Sequence, residues 1–328
     1  QQVTAIYDYV EEKVYTPDDE GWEAAKMHAK VTAFTLCTAR EHLVWTHLIL
    51  SNDTTRESTL NLPPSHPIRR LLTVFTFRAT EVNLDAFDQL VPRTCLLHRS
   101  SAFKYSSMVK LFDMAYTDSI VYMPFPERNI NAALQKLVNQ GKFPYVSEGC
   151  EYYEIVRTFV RDWLSKAGDQ GTDSYATAFY NGMKQSSQGQ AYVLPDITAP
   201  DAMVNLLSTI IFTVTGYHEL IGHLVDYTVL PSRAGFRVAK KDPTKIDLQS
   251  FLNATVITAS TSRKMPELMS EFLNFFGAGG APEWEREAWN SFQQALQAQS
   301  EKVQKAEKRR PFEFKYFDPS RFECSVSV

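Results

Sequence analysis

Glycine is scarce in this chain. There are 13 in 328 residues, about 4% against a usual ~7%. No GxGxxG, GxxxxGK[ST] or GxSxG occurs, so neither a phosphate-cradling loop nor a nucleophile elbow supplies the function. An excess of positive charge is missing as well. Lys and Arg total 34 against 38 Asp and Glu, a net charge of −4, which argues against a nucleic-acid surface. Cysteine is confined to positions 37, 95, 150 and 324 without a CxxC. That pattern reads as reduced thiols and favours an intracellular, cytoplasmic setting. No signal peptide is visible, yet the chain opens on Gln1-Gln2 rather than methionine, which leaves a removed upstream segment open. An uninterrupted membrane-length apolar run is also absent. The most apolar stretch, 200–230, is broken by Asp, Asn, Glu and two His, so it reads as a buried core helix with no transmembrane segment.

What remains is ordinary globular material, 44% apolar and 22% charged, enough to bury a core without staples. Apolar residues recur every three or four positions over 21–52, 66–75, 148–166, 200–230 and 282–310, the period of amphipathic helices. Little reads as strand. The expectation is an all-α protein with one mostly helical domain over residues 1–328, built around the long core helix near 200–230. Loops are expected at 53–65, 120–147, 167–199 and 231–247. The segment from Arg310 onward is expected to be an extended tail.

Histidine carries the signal. Of seven, four form two pairs of equal spacing, His42/His47 and His218/His223; chance placement gives about 0.15 such pairs. On a regular helix, positions i and i+5 point ~140° apart and cannot grip one ion. A π-bulge brings them near alignment, and such bulges mark functional sites. The pairs therefore make chemical sense if their helices are locally π-like, or if one histidine of each pair faces inward. Imidazoles without thiolate neighbours suit Fe, Zn, Mn or Cu.

Two chemistries fit His218-Glu219-Leu220-Ile221-Gly222-His223. As HExxxH it resembles the zinc helix of dipeptidyl peptidase III-type peptidases. Glu219 would then be the general base, with Glu267 or Glu271 as a further ligand. The rest of the chain resembles the lipoxygenases, in order, over most of 20–328. His42-Leu-Val-Trp-Thr-His47 is similar to that family's HxxxxH metal pair. His66-Pro67-Ile-Arg-Arg-Leu71-Leu72 is similar to the HPxxxLL that follows. The stretch from Leu90 to Met108 matches more weakly, and Phe143-Pro144-Tyr145 through Trp163 resembles the YPY…IW…WV segment. His218 falls on the third metal histidine. The ending RPFEFKYFDPSRFECSVSV is similar to PYxYLxP…NSxxI. HPxxxLL and this ending have no place in an HExxxH peptidase, so the lipoxygenase resemblance ranks first.

That resemblance implies a non-haem metal dioxygenase that binds Fe, with Mn as the alternative. It would abstract a hydrogen atom from a polyunsaturated fatty acid or similar polyene and add O2 to give a hydroperoxide. The implied ligands are His42, His47, His218 and the main-chain carboxylate of Val328. The family's fourth side-chain ligand, Asn or His, falls on Gly222, so either His223 or water takes its place. Only 41 residues precede His42, far fewer than in lipoxygenases. A minimal core, a fragment, and a subunit completed by a second chain with the missing N-terminal helices all stay open. Ser51 and Asn52 are candidates to support His47, with a helix-end role open for Asn52. Glu219 is expected to pair with an Arg or Lys. Arg69, Arg70 and Arg99 are candidates for a fatty-acid carboxylate. His28, His98 and Cys324 are expected to be structural.

Overall fold

The computed structural model describes residues 3–9, 11–95, 97–98, 103–141, 143–222, 252, 264–270 and 281–326. A short antiparallel hairpin, β1 (Ile6–Asp8) and β2 (Lys13–Tyr15), precedes the helices. A long helical rod follows. It comprises α1 (Trp22–Leu36), a π-helical stretch (Cys37–Ser51) and α2 (Asn52–Asn61), and the backbone stays right-handed at both joins. Next come α3 (Pro67–Phe75), α4 (Ala79–Leu90), α5 (Tyr105–Thr117), and the short α6 (Phe125–Arg128) and α7 (Ala132–Asn139). The long α8 (Pro144–Ala167) and α9 (Ser174–Ser186) lead to a second rod. This is α10 (Ala202–Phe212), a π turn (Thr213–Tyr217) and α11 (His218–Gly222). The last long helix is α12 (Glu283–Glu307).

The all-helical expectation holds, and the helices lie where the apolar periodicity puts them. α8 opens with Pro144 in its first turn and closes at Gly168, which has a positive φ. It buries Tyr152, Val156, Phe159, Val160 and Trp163, one stripe at helical spacing. α12 carries Glu283 and Glu285 in its first turn and Lys305 in its last, charges that complement its dipole. It packs on α8 through Phe292 stacked on Phe159, with centroids 4.2 Å apart and planes 9° from parallel. The second rod lies in the middle, buried without a break from Leu206 to Glu219. Gly216 permits its close crossing with α8: a Cβ there would stand 2.7 Å from the Tyr152 ring.

Three of the expected loops contain helices. In place of a loop at 53–65, α2 runs to Asn61; its buried face is Thr54, Glu57 and Ser58, polar residues that an apolar pattern does not register. Inside 167–199, α9 buries Ala176, Phe179, Tyr180 and Met183 and is capped by Asp173, whose carboxylate accepts from the Ala176 amide at 2.8 Å. The span 120–147 likewise contains α6 and α7. The expected loop at 231–247 lies outside the described residues. The described tail is irregular and is interrupted by a 3-10 turn at Pro319–Arg321, and Phe317, Phe322, Cys324 and Val326 are fully buried along it.

Asp53 anchors α2 to the chain near Tyr122. The Tyr122 hydroxyl donates to Asp53 Oδ2 at 2.6 Å, and Arg56 lies 3.2 Å from Oδ1. Burial raises this carboxyl above its ordinary 3.8, against the pull of Tyr122 and Arg56. The folded state therefore holds a proton that the unfolded chain has released. Its contribution to stability is present below the unfolded value and is lost as pH rises through the folded one. Asp53→Asn keeps an acceptor for Tyr122 and removes that dependence. Melting temperatures measured from pH 3.8 upward through the weakly acidic range should fall more steeply for the wild type. Parallel slopes would refute the assignment.

Candidate metal centre

The π-helical stretch makes the first histidine pair work. Each π turn holds one residue more than an α turn, so His42 and His47 stack nearly in register, with ring centroids 4.7 Å apart. The turn between them is held from both sides. Thr46 Oγ1 donates to the Glu41 carbonyl five residues back at 2.8 Å, and Trp45 Nε1 donates to the Ala115 carbonyl of α5 at 2.6 Å. On the other rod, the π turn Thr213–Tyr217 ends where His218 begins.

Three imidazole nitrogens converge. Nε2 of His42 lies 3.0 Å from that of His218 and 3.1 Å from that of His47, and the His47–His218 separation is 3.2 Å. All three side chains are buried, at 4%, 1% and 5% exposure. The state of His47 follows from its neighbours. Asn83 Nδ2 donates to the His47 carbonyl at 3.0 Å and to Asn52 Oδ1 at 2.6 Å, which fixes the amide so that Asn83 Oδ1 accepts from His47 Nδ1 at 2.7 Å. With its proton on Nδ1, neutral His47 turns a lone pair on Nε2 toward the other two rings.

The spacing fits a cation. At a metal–nitrogen distance of ~2.1 Å, ligands at right angles are ~3.0 Å apart and tetrahedral ligands ~3.4 Å apart. The observed separations lie nearer the right-angled value. His42, His47 and His218 could together hold such an ion, with room left for oxygen ligands.

Gly222 stands against this cluster. A Cβ there would lie 2.7 Å from His42 Nε2 and 3.0 Å from His218 Nε2. The fourth-ligand position of the resemblance is therefore filled by backbone that closely approaches the rings. His223 and Val328 lie outside the described residues, as do Arg99 and Glu271. The tail leading to Val328 is anchored step by step. The Leu268 amide donates to the Phe322 carbonyl at 2.7 Å, the Cys324 amide to the Pro266 carbonyl at 2.9 Å, and Ser325 Oγ to the Phe75 carbonyl at 3.1 Å. Val326, the last described residue, is fully buried.

Other candidates resolve plainly. Glu219 is buried and lies 3.5 Å from Arg321 Nε, the expected ion-pair role. Glu267 is exposed and bridges by its backbone to Glu323. Arg70 is held by the fully buried Glu285, so it is not placed for a fatty-acid carboxylate. Arg69 keeps a buried Nη1 with no hydrogen-bond partner among the described residues. His66 caps α3, its Nδ1 accepting from the Ile68 amide at 3.2 Å, and Leu71 and Leu72 are fully buried. His28 is exposed beside Asp8, and His98 accepts from the Thr94 amide. All four cysteines are free, and burial pushes the Cys324 thiol up to about 12. Ser51 is the buried last residue of the π stretch, and Asn52 supports Asn83 rather than ending a helix. Asn83 itself escaped the sequence reading, because nothing in its own segment links it to a histidine 36 residues away.

The architecture has close counterparts among solved structures. The coral 8R-lipoxygenase superposes with a TM-score of 0.79 at 17% identity, over 97% of this chain and 51% of its own. The lipoxygenase fold is the fold of this protein. The Fusarium graminearum lipoxygenase gives 0.76 at 16% identity, over 94% and 58% of the two chains. The manganese lipoxygenase of Gaeumannomyces graminis gives 0.68 at 13%, over 97% and 62%. This lipoxygenase-fold chain spans about half the length of the coral structure, the C-terminal half. No protein-family model and no curated protein sequence matches it.

Two substitutions probe the geometry. Gly222→Ala should displace His42 and cost ~1–3 kcal/mol, as overpacking of a tight interior does. Asn83→Ala should cost ~1–3 kcal/mol by stripping His47 Nδ1 and a main-chain carbonyl of their partner. Thermal unfolding checks both, and a melting point unchanged in either variant would contradict its contact.

Proposed function

We propose that the chain is the catalytic core of a non-haem metal dioxygenase that adds O2 to a polyunsaturated lipid chain. The observation that carries the reading is the convergence of the three buried Nε2 atoms on a lipoxygenase fold. In this proposal His42, His47 and His218 hold the ion. The Val328 carboxylate supplies an oxygen ligand, and His223 or water occupies the position beside Gly222. Iron is the first choice and manganese the second, since an N/O donor set with right-angled spacing suits either. When bound, such a metal supplies the one-electron exchange needed to remove a hydrogen atom from a doubly allylic CH2.

The protein's own part is placement. Asn83 holds the proton of His47 on Nδ1 and so keeps Nε2 available as a ligand. The buried run from Leu206 to Glu219 keeps bulk water from the rings. The anchors at Phe322, Cys324 and Ser325 draw the tail inward and support a role for its end at the metal.

No observation favours the zinc HExxxH peptidase. Its base, Glu219, faces Arg321, and the rings that meet His218 come from the other rod.

Metal analysis of the purified chain together with oxygen uptake on linoleate tests the reading. Expected are iron or manganese near one per chain and measurable uptake. Removing Val328 or substituting His218→Ala should sharply lower metal content, whereas Glu219→Gln should retain it. Tightly held zinc, with peptide hydrolysis lost in Glu219→Gln, would overturn the assignment.

A further inference from the structure

Beside the histidines, a second contact joins the same two rods. The Tyr217 hydroxyl donates to Glu41 Oε2 at 2.5 Å. Tyr217 immediately precedes His218, and Glu41 immediately precedes His42. The Tyr217–Glu41 bond and the 3.0 Å approach of His218 to His42 are thus adjacent rungs between one pair of backbones. Each end of the Tyr217–Glu41 rung is itself fixed. Tyr217 is 4% exposed, stacked with Phe212 at 6.3 Å between centroids, and Arg128 lies 5.5 Å from its ring. Arg128 is in turn tied to the Met123 carbonyl. On the opposite rod, Glu41 Oε1 accepts from Arg40 at 2.6 Å, and its carbonyl accepts from Thr46.

We propose that Tyr217 and Glu41 are positioning residues that set the separation of the two histidine-bearing rods, and with it the geometry and strength of metal binding by His42, His47 and His218. The proposal rests on the metal reading above. The reason is mechanical. Both rods are π-helical at this level, and a π turn packs less regularly than an α turn, so its position depends on tertiary contacts. Three imidazole nitrogens held within 3.2 Å of one another crowd their polar edges unless a cation or a proton is shared between them. A bond on the neighbouring residues holds them at the ligating distance before the ion arrives. A part-buried hydrogen bond to a carboxylate is strong enough for this, and pre-formed sites bind more tightly than sites that the ion must assemble.

The test is Co2+ binding to the full chain, read from the visible absorption of the bound ion and from its dissociation constant. Melting temperature of the metal-free protein serves as the structural control. Tyr217→Phe keeps the ring and removes only the hydroxyl. It should weaken Co2+ binding by about tenfold or more, the usual consequence of losing a group that supports a ligand, and it should shift the absorption bands. Glu41→Gln keeps a partner for the phenol whichever way its amide turns, and should restore most of the affinity. Glu41→Ala, at a side chain that is 23% exposed, breaks the same bond without touching the buried ring. It carries the same expectation should Tyr217→Phe not fold. A Tyr217→Phe or Glu41→Ala protein that melts lower but binds Co2+ with wild-type affinity and spectrum overturns the proposal while leaving the metal reading intact. Wild type and His218→Ala proteins that bind Co2+ equally poorly would instead remove the metal reading on which the proposal rests.

Discussion

Everything in this molecule turns on bringing three imidazole nitrogens from two separate rods to about 3 Å from one another in a dry interior. Regular α-helices cannot do it. With His42 and His47 five positions apart, one ring would face the core and the other a different neighbour. The first rod departs from α geometry for 15 residues, Cys37–Ser51, and the second for five, just ahead of His218. Much of the surrounding structure steadies those departures. Trp45 is tied to α5, Asn83 of α4 holds His47, and the tail lies against the core rod, where Phe322 packs on Tyr152 beside Gly216.

The polar interior follows from the same constraint. A site that gathers nitrogen ligands must bury imidazoles, and buried imidazoles need partners for their second nitrogens. For His47 this is met by a chain of amides, from His47 to Asn83 to Asn52, with no charged group in it. Charges in the neighbourhood are paired: Glu219 with Arg321, Glu285 with Arg70, Glu41 with Arg40. The three ring nitrogens thus sit in a buried, low-dielectric setting, where a charge is felt strongly.

The main frame was legible in the sequence because it obeys an apolar period. Tyr152, Val156, Phe159 and Trp163 announce α8, and Ala288, Phe292 and Leu296 announce α12. The pair His42/His47 was legible for the opposite reason: its spacing violates the α-helical period, and the π stretch Cys37–Ser51 reconciles it. The unread parts are polar or distant. α2 buries Thr54, Glu57 and Ser58, so its inner face looks like a surface. Asn83 and Tyr217 act across 36 and 176 residues, and no local pattern ties such partners together. Arg70 looked available for a ligand because its partner, Glu285, lies 215 positions away. The fold match holds at 13–17% identity, so the architecture persists where most individual residues do not.

The tail has a consequence for how the protein is made. Residues 322–326 lie against Phe75, Tyr152 and the strand-like segment at Pro266–Leu268, yet they leave the ribosome after all of these. Until then the core carries an open seam whose apolar walls face water. The helices can form and gather as they emerge, but the interior closes only when these late residues arrive. An interrupted translation product would therefore resemble a half-built protein with a sticky groove, a natural substrate for chaperones and proteases.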